Sequence, residues 1–133
     1  MHQKTIVIPS SHSHICGVCN TILTDVKNLN FSDDDIFGIH LAMEEAIINA
    51  VKHGNNADES KKVRIEYCIT HEKFDIKIVD EGTGFKPREV PDPREGNNVF
   101  KASGRGLLLM KTYMDSVEYN AQGNCVHMIK IKK

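Results

Sequence analysis

No run of apolar residues in this 133-residue chain is long enough to cross a bilayer. That excludes a helical membrane span, and no signal-peptide core is present. Excess charge is missing as well: 17 basic residues face 18 acidic ones, a formal net charge of −1. With no long basic run to line a groove, direct nucleic-acid binding is excluded, and the cytoplasm is the expected compartment. Internal repeats are absent. Cysteine is sparse, at Cys16, Cys19, Cys68 and Cys125, and in that compartment free thiols are expected. Proline is also sparse, and three of the four fall between residues 86 and 103.

What is present suits one domain over 1–133 with one core, since 40% of the residues are hydrophobic. KTIVI (4–8) reads as a strand ended by Pro9. Ile15, Val18, Cys19, Ile22, Leu23 and Val26 then recur at helical spacing, with Ser10, Ser11 or Ser13 as candidate caps. SHSHICGVCN also places four zinc-type ligands, His12, His14, Cys16 and Cys19, within eight residues. Cys19 falls inside the apolar stripe, where a thiol acts as a small hydrophobe, and Cys68 and Cys125 supply no second ligand pair. Core packing is therefore the reading preferred over metal.

Ser32 followed by Asp33, Asp34 and Asp35 marks a helix start: a cap, then acids at the positive end of the dipole. The spacing predicts a helix to about His53, stopped by Gly54, Asn55 and Asn56. Met43, Ala46, Ile47, Ala50 and Val51 form its core stripe. Opposite them Glu45 and Asn49 are i, i+4 neighbours, with Lys52 and His53 continuing the line. Apolar Leu41, Ala42 and Ile48 flank that line, which suits a cleft as well as it suits an exposed edge.

VRIEYCIT (63–70) and KFDIKIVD (73–80) alternate in-and-out and form a hairpin across His71 and Glu72. DEGTGF (80–85) follows. Residues 86–103 carry no periodicity and read as a lid over a site. GRGLLLMKTYM (104–114) is a glycine-rich entry into a helix, and 115–120 with 125–131 form a closing hairpin. The order β-α-α-β-β-lid-α-β-β predicts an α+β fold: a two-layer α/β sandwich whose mixed, mostly antiparallel sheet is covered on one face by helices.

Three clusters carry chemistry. Asp80 ends an apolar strand, and its carboxylate can only accept hydrogen bonds, which suits the exocyclic amine of adenine. Gly82 and Gly84 permit close backbone approach to a flat ligand. Free N–H groups at the start of GRGLLLM, with Arg105, make an anion site suited to phosphate. The Asn49 amide oxygen suits Mg²⁺, Lys52 can offset phosphate charge, and Glu45 is placed to orient or deprotonate an attacking hydroxyl. Each cluster alone is equally a plain turn or junction; their order is the more specific signal.

EEAIINAVKHGN, VDEGTGF and SGRGLLLM resemble the N, G1 and G2 boxes of the GHKL superfamily, the Bergerat-fold or histidine-kinase-like ATPases. Within it the chain is most similar to the small bacterial anti-sigma-factor serine/threonine-protein kinases, over essentially its whole length. The resemblance implies ATP and Mg²⁺ as cofactors. It implies Glu45 as catalytic base and Asn49 as metal ligand. It also implies nucleotide contacts from Lys52, His53, Asp80, Gly82, Gly84, Phe85, Gly104, Arg105, Gly106 and Leu107. It implies phosphorylation of a STAS-type antagonist protein, a sigma factor as partner for many members, and a homodimer. One departure stands out: the family often has Gly-Thr in the last hairpin, and this chain has Gly123-Asn124. Competing readings are a nucleotide-binding partner-switch module without transfer, a detached histidine-kinase catalytic domain, and a zinc protein. The position of Glu45 and the lack of dimerisation helices weigh against the histidine kinase.

Overall fold

A computed structural model of the chain describes residues 2–56, 58–82, 101–121 and 123–133, with backbone alone for residues 2 and 101–106. Strand β1 (His2–Pro9) leads through a 3₁₀ turn (His12–His14) into α1 (Ile15–Asn28) and then α2 (Asp33–Ile48). A π-helical turn (Asn49–Gly54) follows, then β2 (Lys62–Ile69), β3 (Lys73–Val79), α3 (Lys101–Tyr113), β4 (Ser116–Tyr119) and β5 (Cys125–Ile131). The fold is α+β. The strands lie in the order β1-β2-β3-β5-β4. The expected mixed sheet is antiparallel at every pairing described.

Alternation decides which face of the sheet is covered. Val63, Ile65, Tyr67 and Ile69 of β2, Phe74, Ile76 and Ile78 of β3, and Val126 and Met128 of β5 are all buried. The six apolar residues of the α1 stripe meet them, as do Met43, Ala46, Ile47, Ala50 and Val51. The other sheet face carries Arg64 and Glu66 as an ion pair at 3.1 Å, and His127 against Asp75 at 2.7 Å. Helix α3 lies along α2, where Gly38 allows close approach: a Cβ there would stand 3.1 Å from Tyr113 Cβ.

Two local expectations need correction. None of the serines caps α1: its N-cap is His14, without a side-chain bond. Ser10 Oγ instead donates to the Lys61 carbonyl, and Ser11 and Ser13 bond each other. The Ser32 cap does form, accepting from the Asp35 N–H at 3.1 Å. Helix α3 starts three residues ahead of the expected entry at 104, because Lys101, Ala102 and Ser103 do not oppose helix. Gly104 therefore lies inside the first turn, past the N–H groups that lack an intrahelical partner.

Asp35 ties the start of α2 to the end of the sheet. Its carboxylate lies 3.9 Å from buried Lys130 Nζ and accepts from the Lys133 N–H at 3.0 Å.

Candidate functional site

The α-helical pattern of α2 gives way at Asn49. The Asn55 N–H donates to the Ala50 carbonyl, an i→i+5 bond at 2.9 Å. Such a π turn shifts the side chains that follow off the 3.6-residue line. The expected continuous line of four polar residues is therefore broken. Asn49 is buried, Glu45 is half-buried one turn before it, Lys52 is exposed and His53 is partly buried. Burial, with Lys52 close by, holds the His53 imidazole below its ordinary pKa.

Asn49 faces a narrow pocket. Ala46, Ala50 and Gly54 give it a wall of small residues, Ile78 and Val126 a second apolar wall, and Asp80, Tyr119, Gly123, Asn124 and Cys125 complete it. Asn49 and Asp80, 31 residues apart in sequence, thus line one cavity and are each only 8% exposed. Glu45, Lys52 and His53 lie outside that lining. So does Leu107, half-buried in α3. Gly104, Arg105 and Gly106 lie in the first two turns of α3. Gly84, Phe85 and residues 86–100 of the expected lid fall outside the described residues.

The backbone leaves no room for side chains around Asp80. A Cβ on Gly54 would fall on the Asp80 carboxylate, and one on Gly82 would fall on the Gly54 carbonyl. Burial pushes the Asp80 carboxyl up to about 6, against the Gly82 N–H that donates to Oδ1 at 2.8 Å and the charge of Lys61. The Asp80 N–H donates to the Asn124 carbonyl at 2.9 Å. The side chain of Asn124, which stands where the family often has threonine, accepts from Asn120 Nδ2 at 2.7 Å. Gly123 adopts φ 78°, the left-handed region open to glycine, and its N–H reaches Asn120 Oδ1 at 2.7 Å.

Two residues of the site were not among the expected ones, although Asn55 closes the EEAIINAVKHGN motif. Asn55 reads as a helix stop, yet it is fully buried and joins three segments. Its Nδ2 donates to Ser10 Oγ (2.7 Å) and to the Lys62 carbonyl (3.0 Å), and its Oδ1 accepts from the Glu81 N–H (2.8 Å). The Glu81 carboxylate in turn accepts from the Lys62 N–H. Tyr119 packs against the core from the edge strand and lines the same pocket as Asn49, whose side chain is within hydrogen-bonding reach of its hydroxyl. Burial pushes that phenol up to about 12, with the Asn49 bond acting the other way and the Asp80 charge adding to the rise. Cys19 lies in the core, its thiol pushed up to about 12 by burial. Among the described residues no three His, Cys, Asp or Glu side chains converge as a metal site.

The histidine kinase-like ATPase domain model matches residues 9–130, and the chain belongs to that family. It is 30% identical to a serine-protein kinase RsbW of Listeria monocytogenes serovar 1/2a, over 98% of this chain and 88% of the relative. It is 33% identical to an anti-sigma F factor of Clostridium perfringens, over 81% of this chain and 79% of the relative. A crystal structure of the RsbU and RsbW domains of a Mycobacterium tuberculosis protein superposes on the whole chain with a TM-score of 0.68. At 12% identity over 32% of that longer chain, this likeness speaks for the fold. Among the described residues no helix is long and apolar enough to cross a membrane.

Proposed function

We propose that the chain is a cytoplasmic ATP-dependent serine/threonine-protein kinase of the anti-sigma type. In this reading it phosphorylates a hydroxyl on a small STAS-type antagonist, binds a sigma factor as its alternative partner, and works as a homodimer. The observation that carries the reading is the meeting of Asn49 and Asp80 in one pocket walled by Ala46, Ala50 and Gly54. The names of the Listeria and Clostridium relatives support the same class.

The residues fit the cofactors. Alanines and glycines make a slot beside a carboxylate acceptor, and every Cβ withheld at Gly54 and Gly82 keeps the backbone close. The Asn49 side chain offers a hard oxygen donor, and Mg²⁺ needs few protein ligands because it keeps several waters. Bound there, ATP would supply the phosphoryl group and Mg²⁺ positive charge to offset its phosphates. Asp80 would accept from the adenine amine and disfavour guanine, whose carbonyl would face it. Asn49 would hold the metal, and Lys52 and Arg105 would offset phosphate charge. Glu45, one turn before Asn49, would orient the incoming hydroxyl and take its proton. Gly82, Gly84 and Phe85 would border the base, with His53, Gly104, Gly106 and Leu107 nearer the phosphates.

The test is incubation with a cognate antagonist and labelled ATP. Acid-stable transfer that is lost in Glu45→Ala, with nucleotide still bound, is the expected result. Glu45 lies outside the pocket lining, which favours one alternative, a nucleotide-binding switch without chemistry. Absence of transfer to every cognate antagonist would establish that alternative.

A further inference from the structure

The turn between β4 and β5 fixes the polarity of one side chain in this pocket. Backbone N–H groups can only donate, and those of Gly123, Asn124 and Cys125 all meet Asn120 Oδ1, at 2.7, 3.0 and 3.3 Å. The other end of the Asn120 amide is therefore its donor, Nδ2, and what it meets at 2.7 Å is Asn124 Oδ1. The Asn124 carbonyl accepts from the Asp80 N–H at 2.9 Å. Nδ2 is the polar atom of Asn124 that remains, and it has no acceptor among the described residues. None of those residues has a side-chain nitrogen or oxygen sealed from solvent without a partner, so Nδ2 is open to a ligand. Asn124 lines the pocket together with Asp80.

We propose that Asn124 binds the base, donating from Nδ2 to the bare ring nitrogen beside the amine of a 6-aminopurine, and that Asn120 is the positioning residue that holds the amide in this sense. The proposal rests on the reading of the pocket as an ATP site. The Asp80 carboxylate can only accept, and Asn124 Nδ2 can only donate. The amino edge of adenine offers the complement, an amine N–H with a bare ring nitrogen, N1 or N7, next to it. The bond from the Asp80 N–H to the Asn124 carbonyl, one step beyond the Val79–Cys125 pair, keeps the two residues side by side.

Calorimetry would compare ATP with 1-deaza-ATP and 7-deaza-ATP, in each of which one ring nitrogen is replaced by C–H. The proteins are the wild type, Asn124→Ala, which removes the donor, and Asn120→Asp, which keeps an acceptor for the three turn N–H groups and deletes Nδ2. In Asn120→Asp the Asn124 amide meets an oxygen and turns its Nδ2 toward it, leaving its own oxygen to the pocket. The expected result is that the wild type binds one of the two analogues about 2- to 10-fold more weakly than ATP, the worth of one neutral hydrogen bond. Both variants would bind that analogue as well as they bind ATP. A ratio taken within each protein cancels any loss of fold, or effect of added charge, that is common to the three nucleotides. A wild type that binds ATP and both analogues equally would overturn the proposal and leave the ATP site standing. So would an Asn124→Ala variant that discriminates as the wild type does. Wild-type discrimination in Asn120→Asp would overturn the positioning role. A wild type that binds none of the three nucleotides would refute the nucleotide site, and the proposal with it.

Discussion

Asp25 and Asp80 are buried to nearly the same depth, 7% and 8% exposed, and the fold treats them in opposite ways. Asp25, on α1, accepts from Tyr67 Oη at 2.8 Å and Lys4 Nζ at 3.0 Å. Both donors come from strands on the far side of the core, so the carboxylate joins helix to sheet. Asp80, at the end of β3, accepts from the Gly82 N–H in its own loop, and burial raises it to about 6. Burial penalises a charged carboxylate, and hydrogen-bond donors offset that penalty. Asp25 is a joint of the fold. Asp80 is held at a cost, beside a pocket where a ligand can supply the missing donor.

Asn55→Ala would break this contrast most severely, because the Asn55 amide holds the Asp80 loop to β1 and β2. Three hydrogen bonds of a fully buried side chain disappear, and a loss of about 3 kcal/mol or more is expected in chemical denaturation. Asp25→Ala comes next. It leaves the buried Tyr67 hydroxyl without its acceptor, for about 1–3 kcal/mol of lost stability and unchanged nucleotide affinity.

Asp80→Asn is expected to act with the opposite sign. The folded carboxyl titrates near 6 against an ordinary 3.8. The folded chain therefore holds this proton more tightly than the unfolded chain. Its contribution to stability is full below pH 3.8 and is lost as pH rises through about 6. The rise corresponds to about 3 kcal/mol at most. Asp80→Asn should recover about 1–2 kcal/mol of that at pH 8, flatten stability between pH 4 and 6, and lose the preference for ATP over GTP. Denaturation curves across that range check the first two effects, and competition binding checks the third. A destabilised Asp80→Asn at pH 8 would erase the distinction between the two carboxylates.

Lys4→Met is the smallest. Lys4 is half exposed and Tyr67 still serves Asp25, so a change below about 1 kcal/mol is expected.

Much of the architecture was readable because it depends on local repetition. The α1 stripe, the alternation of β2 and β3, the Ser32 cap and both hairpins follow from spacing along the chain. Asn49 and Asp80 were legible as candidates because each breaks an apolar pattern. The π turn was not, since nothing in INAVKHG departs from ordinary helix spacing; it forms where Asn55 is pulled into three hydrogen bonds. Tyr119 was not singled out within the closing hairpin, because the pocket it lines forms with residues such as Asn49, 70 positions away in sequence.

The sequence by itself determined the elements, their buried faces and the family, since periodicity and short motifs are properties of neighbouring residues. Only the tertiary structure decided which buried polar groups meet. Asn49 reaches Tyr119, Asn55 reaches Ser10 and Glu81, and Asp25 reaches Lys4 and Tyr67 because the helices sit on the sheet at one particular offset. That offset is set by the fit of the whole core at once, and no local stretch of sequence encodes it.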